Sequence, residues 1–290
     1  MPPELDPLCG HGRGALRRDG YRLRCTTCGS FFDRDSLRRE FVYDASYPEG
    51  RGHFDPEVGA MKVRSLERWL AQVKLDPVGR VVCEVGFGGG HCLSWLAERA
   101  AETFGIEAVA ANLEHARRLG VESVLAFEEC RAPLPRPVEL WLFQDSFEHL
   151  PEPGRFLSWL VASSAPRACV LVVAPEADSP SERWLGALWP HRLPDHRFHW
   201  SRGGIEELFR AHGFHKLADF RPTKTVSGAM LVNHLTMTIP LLRPLAGVGR
   251  WLRGLRLDFN VGEMGLVLER GASIAGSSGA ATIPTLVHPS

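Results

Sequence analysis

The stretch Glu84-Val85-Gly86-Phe87-Gly88-Gly89-Gly90 constrains this chain more than any other part of it. It closes a short apolar, β-branched run, RVVCEV (80–85), and opens a segment with helical character, GGHCLSWLAERAAE (89–102). The first run has the length and composition of a buried strand. Glycines let the backbone turn sharply and approach a ligand with no Cβ in the way. A helix starting there aims its unpaired N–H groups at whatever the loop cradles. The loop alone is equally compatible with a bare turn, so the flanking pattern decides.

That pattern is regular. Leu66, Trp69, Leu70 and Val73 recur at helical spacing before the first strand. TFGIE (103–107) reads as a second strand, followed by a helix through Arg118. VESVLAF (121–127), VELWLF (138–143) and ACVLVVA (168–174) read as strands three to five, with a helix from Pro153 between the last two. Ile205, Leu208, Phe209 and His212 mark a further helix, closed by Gly213. Strands alternating with helices predict an α/β, doubly wound, mostly parallel sheet of the Rossmann-like kind, with helices on both faces. Right-handed crossovers leave few topologies.

Three further segments flank or interrupt this core. Residues 1–45 are rich in Cys, Arg and Gly and read as a separate small module. The main domain is expected over 55–270, with a long connection at 175–202 and an apolar block at 229–257 split by Pro240 and Pro244. The tail, 271–290, is small, polar and aperiodic, and is expected to be disordered. Formal net charge is zero, so no global field draws the chain to nucleic acid or an anionic membrane. Seven cysteines, an odd count, and no apolar leader at the N-terminus argue against a secreted disulfide framework. No apolar run reaches the ~18 residues of a membrane span. On these readings a cytoplasmic protein is the default expectation.

The glycine spacing is informative. Dinucleotide-binding loops follow G-x-G-x-x-G and lay a pyrophosphate on the helix. Here the spacing is Gly86-x-Gly88-x-Gly90, with Glu84 two residues before the first glycine. A carboxylate there suits a positively charged amino-acid group better than a pyrophosphate. Glu107 ends the second strand, where a carboxylate can accept from both ribose hydroxyls. An acid favoured by the dipole of the next helix explains the same residue.

With these residues the chain resembles the class I S-adenosylmethionine-dependent methyltransferases over roughly residues 60–225. The matching segments are E-V-G-x-G-x-G (84–90), G-I-E (105–107) and D-x-x-E-H-L-P-x-P, formed by Asp145, Glu148, His149, Leu150, Pro151 and Pro153. The resemblance implies a seven-stranded sheet whose last strand is antiparallel, with GEMGLVLER (262–270) as the candidate. It implies that Glu84, Gly86, Phe87, Gly88 and Gly90 hold the methionine end of the cofactor. Glu107 is then expected at the ribose and Asp145 near the methionine or sulfonium end. Glu128 and Glu129 are candidates beside the adenine.

Methyl transfer from a sulfonium is an in-line displacement, so positioning and water exclusion carry most of it. A base is needed only when the acceptor must lose a proton. His149, just beyond the fourth strand, is the leading candidate; capping of the next helix is its other reading. Segment 175–202 carries Trp184, Trp189, Trp200, His191, His196 and His199, and is too long for an ordinary connection. It reads as a substrate lid, or as a loop anchored by its own aromatics. Its P-x-H-x-x-H-W-S run resembles a segment of the same methyltransferase subgroup, which implies an acceptor contact at His196 or His199. A zinc site among these histidines is the weakest reading.

Cys9, His11, Cys25 and Cys28 form a candidate metal set, because thiolates and imidazole suit tetrahedral zinc and C-x-x-C is a usual half-site. A segment so poor in apolar residues would draw folding energy from the metal. The module resembles a zinc ribbon ahead of some methyltransferases of this subgroup, but Gly12 stands where the second cysteine is usual, and His11 is the substitute. Eight arginines against four acids between Cys9 and Glu40 support a rival reading, an rRNA or tRNA methyltransferase gripping phosphates. The block 229–257 reads as a helical cap, as a pocket for a greasy acceptor, or, through Arg243, Arg250, Arg253 and Arg256, as a peripheral membrane contact. The preferred reading is methylation of a small, hydrophobic metabolite, with oxygen as acceptor. A protein that binds S-adenosylmethionine without transferring methyl is the third reading.

Overall fold

A computed structural model describes Cys9, His11 and residues 15–20, 22–33, 52–186, 189–193, 195–196, 198–238, 240–260 and 262–271. The expectation of a disordered tail falls on residues outside this set, apart from Gly271, as do Arg13, Arg34, Arg38 and Arg39 of the N-terminal arginines.

The core is a seven-stranded sheet. In chain order it uses β4 (Val81–Val85), β5 (Glu102–Glu107), β6 (Val124–Ala126), β7 (Val138–Gln144), β8 (Ser164–Pro175), β10 (Phe214–Phe220) and β13 (Glu263–Arg270). Their spatial order is β10-β13-β8-β7-β4-β5-β6. β13 runs antiparallel to both β8 and β10, and the β8-β7-β4-β5-β6 pairings are parallel. The GEMGLVLER segment is therefore the antiparallel strand that the resemblance implied.

The strands split their side chains between two layers. Val81, Cys83 and Val85 face one side with Trp141 and Phe143, packing on α4 (Pro153–Ser163) and α6 (Arg202–Ala211) through Phe156, Leu160, Ile205 and Phe209. Val82, Leu140, Leu142 and Leu171 face the other side, against α1 (Pro56–Val73) and α2 (His91–Ala97) through Leu66, Trp69 and Leu96. A strand buried on both faces reads as a continuous apolar run rather than an alternating one, as RVVCEV and VELWLF do. The third helix of the Rossmann-like half, α3 (Ala110–Arg118), packs Leu113 and Ala116 under Phe87.

Helix ends follow local chemistry. Asp55 caps α1, its carboxylate accepting from the Glu57 amide at 2.8 Å, with Pro56 in the first turn. Ser201 caps α6 by accepting from the Gly204 amide at 3.0 Å. These caps satisfy amides that have no partner inside the helix.

The N-terminal module is a sheet of β1 (Leu16–Asp19), β2 (Arg22–Cys25) and β3 (Phe31–Asp33), joined by a fourth strand from far along the chain, β9 (Phe198–His199). β3 pairs β9 through Phe31 with His199 and Phe32 with Phe198. Segment 175–202 also holds the short helix α5 (Pro180–Leu185). A two-stranded ribbon, β11 (Lys224–Ser227) with β12 (Arg256–Phe259), lies beside α1. Between its strands run α7 (Gly228–Thr238) and a 3-10 stretch, Pro240–Leu252. No helix among the described residues is long and apolar enough to cross a membrane.

Candidate active site

β4 lies between β5 and β7, so its two neighbours connect in opposite directions and a crevice opens at its carboxyl end. A cavity of about 520 Å³ occupies that crevice. Its lining includes Glu84, Gly86, Phe87, Gly88, Gly89, Glu107, Asp145, His149 and His196. The volume lies within the range of small-molecule sites, roughly 300–1,000 Å³.

Gly86, Gly88 and Gly90 have φ of 70°, 57° and 76°, where an L side chain is strained. Added Cβ atoms at Gly86 and Gly89 would collide with Ser146 and the His53 carbonyl. Gly90, the turn into α2, is packed against Ala116 and Phe87 rather than among the cavity-lining residues.

Glu107 ties this loop down. Its Oε2 accepts from the Gly88 amide at 2.8 Å, and its Oε1 accepts from Ala108 and Val109 at 2.8 and 3.1 Å. The carboxylate thus serves the start of α3, where Val109 has no side-chain cap of its own, and still lines the cavity. Burial pushes its pKa up against these three bonds. Glu84 is more exacting. It is 2% exposed; Gln144 donates to its Oε1 at 2.7 Å, while its Oε2 is buried without a hydrogen-bond partner. Burial pushes its pKa up to about 8. An orphaned buried carboxylate oxygen in a glycine-lined hollow fits a cationic amino group.

Asp145, immediately after β7, has φ of 51°, a left-handed conformation uncommon outside glycine. Its amide donates to the Val173 carbonyl at 2.9 Å. Its carboxylate meets the Lys224 ammonium at 2.7 Å, and Lys224 also lies 2.9 Å from Glu263. Burial opposes the charge on Lys224, but Asp145 and Glu263 hold its pKa above the usual lysine range. Burial likewise opposes the Glu263 carboxylate, but Lys224 and His191 hold its pKa well below the usual range. Lys224 and His53 are site residues that the sequence reading did not single out. His53 lies over the loop, its carbonyl meeting the His91 ring at 3.1 Å and its Nδ1 meeting Asn112 Oδ1 at 3.2 Å.

Beyond Asp145 the chain brings together His149, His196 and Glu148, of which the two histidines line the cavity. His149 Nδ1 donates to the Asp195 carbonyl at 3.0 Å. The His149 and His196 rings meet edge to face, 4.7 Å between centroids. His191 and Glu128 also line the cavity, whereas Glu129 turns back to accept from the Ala126 amide at 2.7 Å. His199 is not among the lining residues: it stacks on Phe31 at 4.5 Å and neighbours Trp189 at 5.6 Å. Burial pushes its pKa down to about 3, so it is a neutral packing group, and of the two histidines expected near an acceptor only His196 lines the cavity. Within segment 175–202, Trp189 and Trp200 are buried, while Trp184 is 92% exposed.

Away from the cavity, one donor atom from each of Cys9, His11, Cys25 and Cys28 lies within 4.8 Å of the others. The Cys28 sulfur is held toward the thiolate, its pKa pushed down to about 4, chiefly by hydrogen bonding with Cys9. Two arginines beside this cluster, Arg22 and Arg24, are used internally. Arg22 pairs with the buried Glu182, and Arg24 lies 3.3 Å from Asp178, both flanking the Phe31 ring.

The sheet order, the glycine loop and the acids at the ends of β4, β5 and β7 define the class I methyltransferase fold. The family profile described as a methyltransferase domain matches residues 60–218, and the chain belongs to this S-adenosylmethionine-dependent family. Among solved structures it is similar to a candidate methyltransferase from Bacillus halodurans, with a TM-score of 0.52, 16% identity, and coverage of 71% of this chain and 98% of that one. It is also similar to a structure of the Haloferax volcanii Trm112 methyltransferase activator in complex with a candidate methyltransferase. There the TM-score is 0.53 at 16% identity, covering 80% of this chain and 100% of that one. No curated protein matches the chain in sequence.

Proposed function

We propose that this protein transfers the methyl group of S-adenosylmethionine to an oxygen of a small, hydrophobic metabolite. The observation that carries the reading is the continuity of one cavity. The Glu84 and glycine-loop cradle opens without a break onto a wall of Leu150, Val226 and Met230, beside His149 and Lys224. The buried, unpartnered Glu84 oxygen suits the cofactor's ammonium, the glycine loop its carboxylate end, and Glu107 its ribose.

When bound, the cofactor supplies an electrophilic methyl group. The chain then has to align an acceptor in line with it and keep water out. His149, oriented by the Asp195 carbonyl, can take the acceptor's proton at Nε2, and His196 packs edge to face against its ring. Segment 175–202 serves as the lid. Cys9, His11, Cys25 and Cys28 hold one structural zinc ion, which staples the turns of β1–β3 and, through the β3–β9 pairing, the lid. The pairing of Arg22 and Arg24 with Glu182 and Asp178 takes two of the eight N-terminal arginines away from any phosphate, which supports the small molecule over RNA.

The test is calorimetric titration of the metal-replete protein with S-adenosylmethionine and S-adenosylhomocysteine, beside Glu84→Ala and Glu107→Ala. Mass-spectrometric detection of methylated product from a panel of phenols and hydroxy acids follows. Micromolar cofactor binding weakened in both variants, and O-methylated product, are the expected results. A folded protein that binds neither compound refutes the proposal.

A further inference from the structure

At the proposed acceptor end of the cavity, two lining histidines and one buried carboxylate behind them have the chemistry of a second metal centre. One ligand atom from each of Glu148, His149 and His196 lies within 4.8 Å of the others. Glu148 Oε1 is 3.9 Å from His196 Nε2. Glu148 follows the end of β7 on a single 3-10 turn, Phe147–His149, so it and His149 are adjacent in sequence. His196 arrives from segment 175–202, which brings the third group to the same point. His149 and His196 are both cavity-lining residues.

The second observation is Glu148 itself. It is 1% exposed, and neither carboxylate oxygen has a hydrogen-bond partner. A buried carboxylate with no donor is expensive, and native proteins rarely leave such a group unexplained. Asp145, three residues earlier, also keeps its Oδ1 buried without a hydrogen-bond partner. A cation placed among these groups answers the unmet acceptor at Glu148 and uses the imidazole nitrogens as neutral donors.

We infer that Glu148, His149 and His196 bind a divalent transition-metal ion at the acceptor end of the cavity, with zinc the best match. Two imidazoles and one carboxylate form a common donor set for zinc in sites that keep one position open. The bond lengths of such a site, about 2.0–2.2 Å, require the three groups to close in slightly from their present spacing. His149 already has the outer contact that metal-binding histidines use: its Nδ1–H donates to the Asp195 carbonyl at 3.0 Å. The open position takes an oxygen ligand from the cavity, either water or the hydroxyl of an acceptor. A metal acidifies such an oxygen, and the proton departs to solvent. The step that the proposed function gives to His149 as a base would then fall to the ion. The site itself rests on the ligand geometry alone, and its test reads metal binding rather than methyl transfer.

The experiment uses full-length protein stripped with a chelator and titrated with cobalt(II). Cobalt at the cysteine cluster gives sulfur-to-metal charge-transfer absorption in the near ultraviolet. Cobalt at a nitrogen and oxygen site gives visible d–d bands without it. A Cys25→Ser/Cys28→Ser protein is expected to keep the d–d bands, and adding Glu148→Gln or His196→Ala is expected to weaken cobalt binding at least about 100-fold. Should the cysteine variant not fold, or lose hydrogen-exchange protection at β9, elemental analysis after zinc saturation replaces it: Glu148→Gln should hold one ion fewer per chain than the unaltered protein. Absence of d–d bands from a folded cysteine variant that keeps β9 protected, bands undiminished by Glu148→Gln, or equal zinc content overturns the inference. Loss of cofactor binding with metal binding intact would instead count against the proposed function alone.

Discussion

Lys224 on β11 meets Asp145, at the end of β7, across 2.7 Å, joining the ribbon over the cavity to the central sheet. The same ammonium lies 2.9 Å from the fully buried Glu263 at the start of β13. Lys224→Met removes the only one of these three groups that is a cation and leaves the buried Glu263 without its ammonium partner. Breaking a buried pair from one side costs about 3–5 kcal/mol, and the part-exposed Asp145 places this case near 3 kcal/mol. The pH dependence has a definite sign. Glu263 is held below its ordinary pKa of 4.5, so its stabilising contribution is complete above that value and is lost as pH falls below it. Urea unfolding of the variant should show a loss of stability at pH 7 that shrinks on acidification below pH 4.5. A constant difference across that range would show that the charge pairing is not its source.

Glu84 behaves in the opposite sense. Its pKa is pushed up to about 8 by burial, with Glu107 adding to the rise and Lys62 and Gln144 opposing it. The folded protein holds this proton between the ordinary value of 4.5 and about 8, whereas the unfolded chain releases it. Stability contributed at this position therefore falls as pH rises through that window. Glu84→Gln should flatten the decline and raise the stability of the cofactor-free protein near pH 8. In the unaltered protein, a cationic amino group arriving at Glu84 favours the carboxylate, so binding should release close to one proton at pH 7. Calorimetry in buffers of different ionisation enthalpy reads that release directly, and Glu84→Gln should abolish it along with most of the affinity.

Glu107 carries two duties that one substitution can separate. Its oxygens accept from Gly88, Ala108 and Val109, so Glu107→Ala leaves three amides at the loop and the start of α3 without their acceptor. Charged hydrogen bonds contribute about 1.5–3 kcal/mol each, and the denaturation midpoint should fall. Glu107→Gln keeps one carbonyl oxygen for Ala108 and Val109. It should recover much of the stability while still binding S-adenosylmethionine at least tenfold more weakly, roughly the loss of one good hydrogen bond to a ribose hydroxyl, about 1.4 kcal/mol. Equal affinity of the Gln variant and the unaltered protein would reduce Glu107 to a structural anchor.

Much of the core was legible because its strands are buried on both faces and read as unbroken apolar runs. β4, β7 and β8 are of that kind. β10 was not picked out: five of its residues between Phe214 and Phe220 are exposed, so an edge strand with polar side chains carried little apolar signal. The strand expected over 121–127 is shorter, Val124–Ala126 followed by a 3-10 turn, because the sheet edge offers it only β5 as a partner. Within the site, Glu84, Gly86, Gly88, Glu107 and Asp145 sit at ends of neighbouring strands, which a motif can report. Lys224 and His53 reach the cavity from segments 79 residues after and 92 residues before Asp145, and no local spacing announces such contacts. His199 misled for a related reason: pairing of β9 with β3 stacks its ring on Phe31, and a spacing of three residues from His196 cannot say which imidazole faces the cavity.

The β3–β9 pairing makes one more consequence measurable. Cys25 closes β2, Cys28 lies in the turn before β3, and β3 in turn pairs β9 within the segment that carries His196. A zinc ion at Cys9, His11, Cys25 and Cys28 would fix that turn, since a module with so small a core depends on its metal for folding energy. Removing it with a strong chelator should lower the unfolding temperature and expose the Phe31–His199 and Phe32–Phe198 contacts, which hydrogen exchange at β3 and β9 would register. The cofactor cradle lies on β4 and β5, which share no pairing with this sheet, so S-adenosylmethionine affinity should change less than threefold while acceptor turnover falls by an order of magnitude or more. Restored zinc should return both exchange protection and turnover. Cys28→Ser, which removes one thiolate and leaves every cavity residue in place, should reproduce the chelated state. Unchanged protection at β9 in either sample would separate the cysteine cluster from the lid.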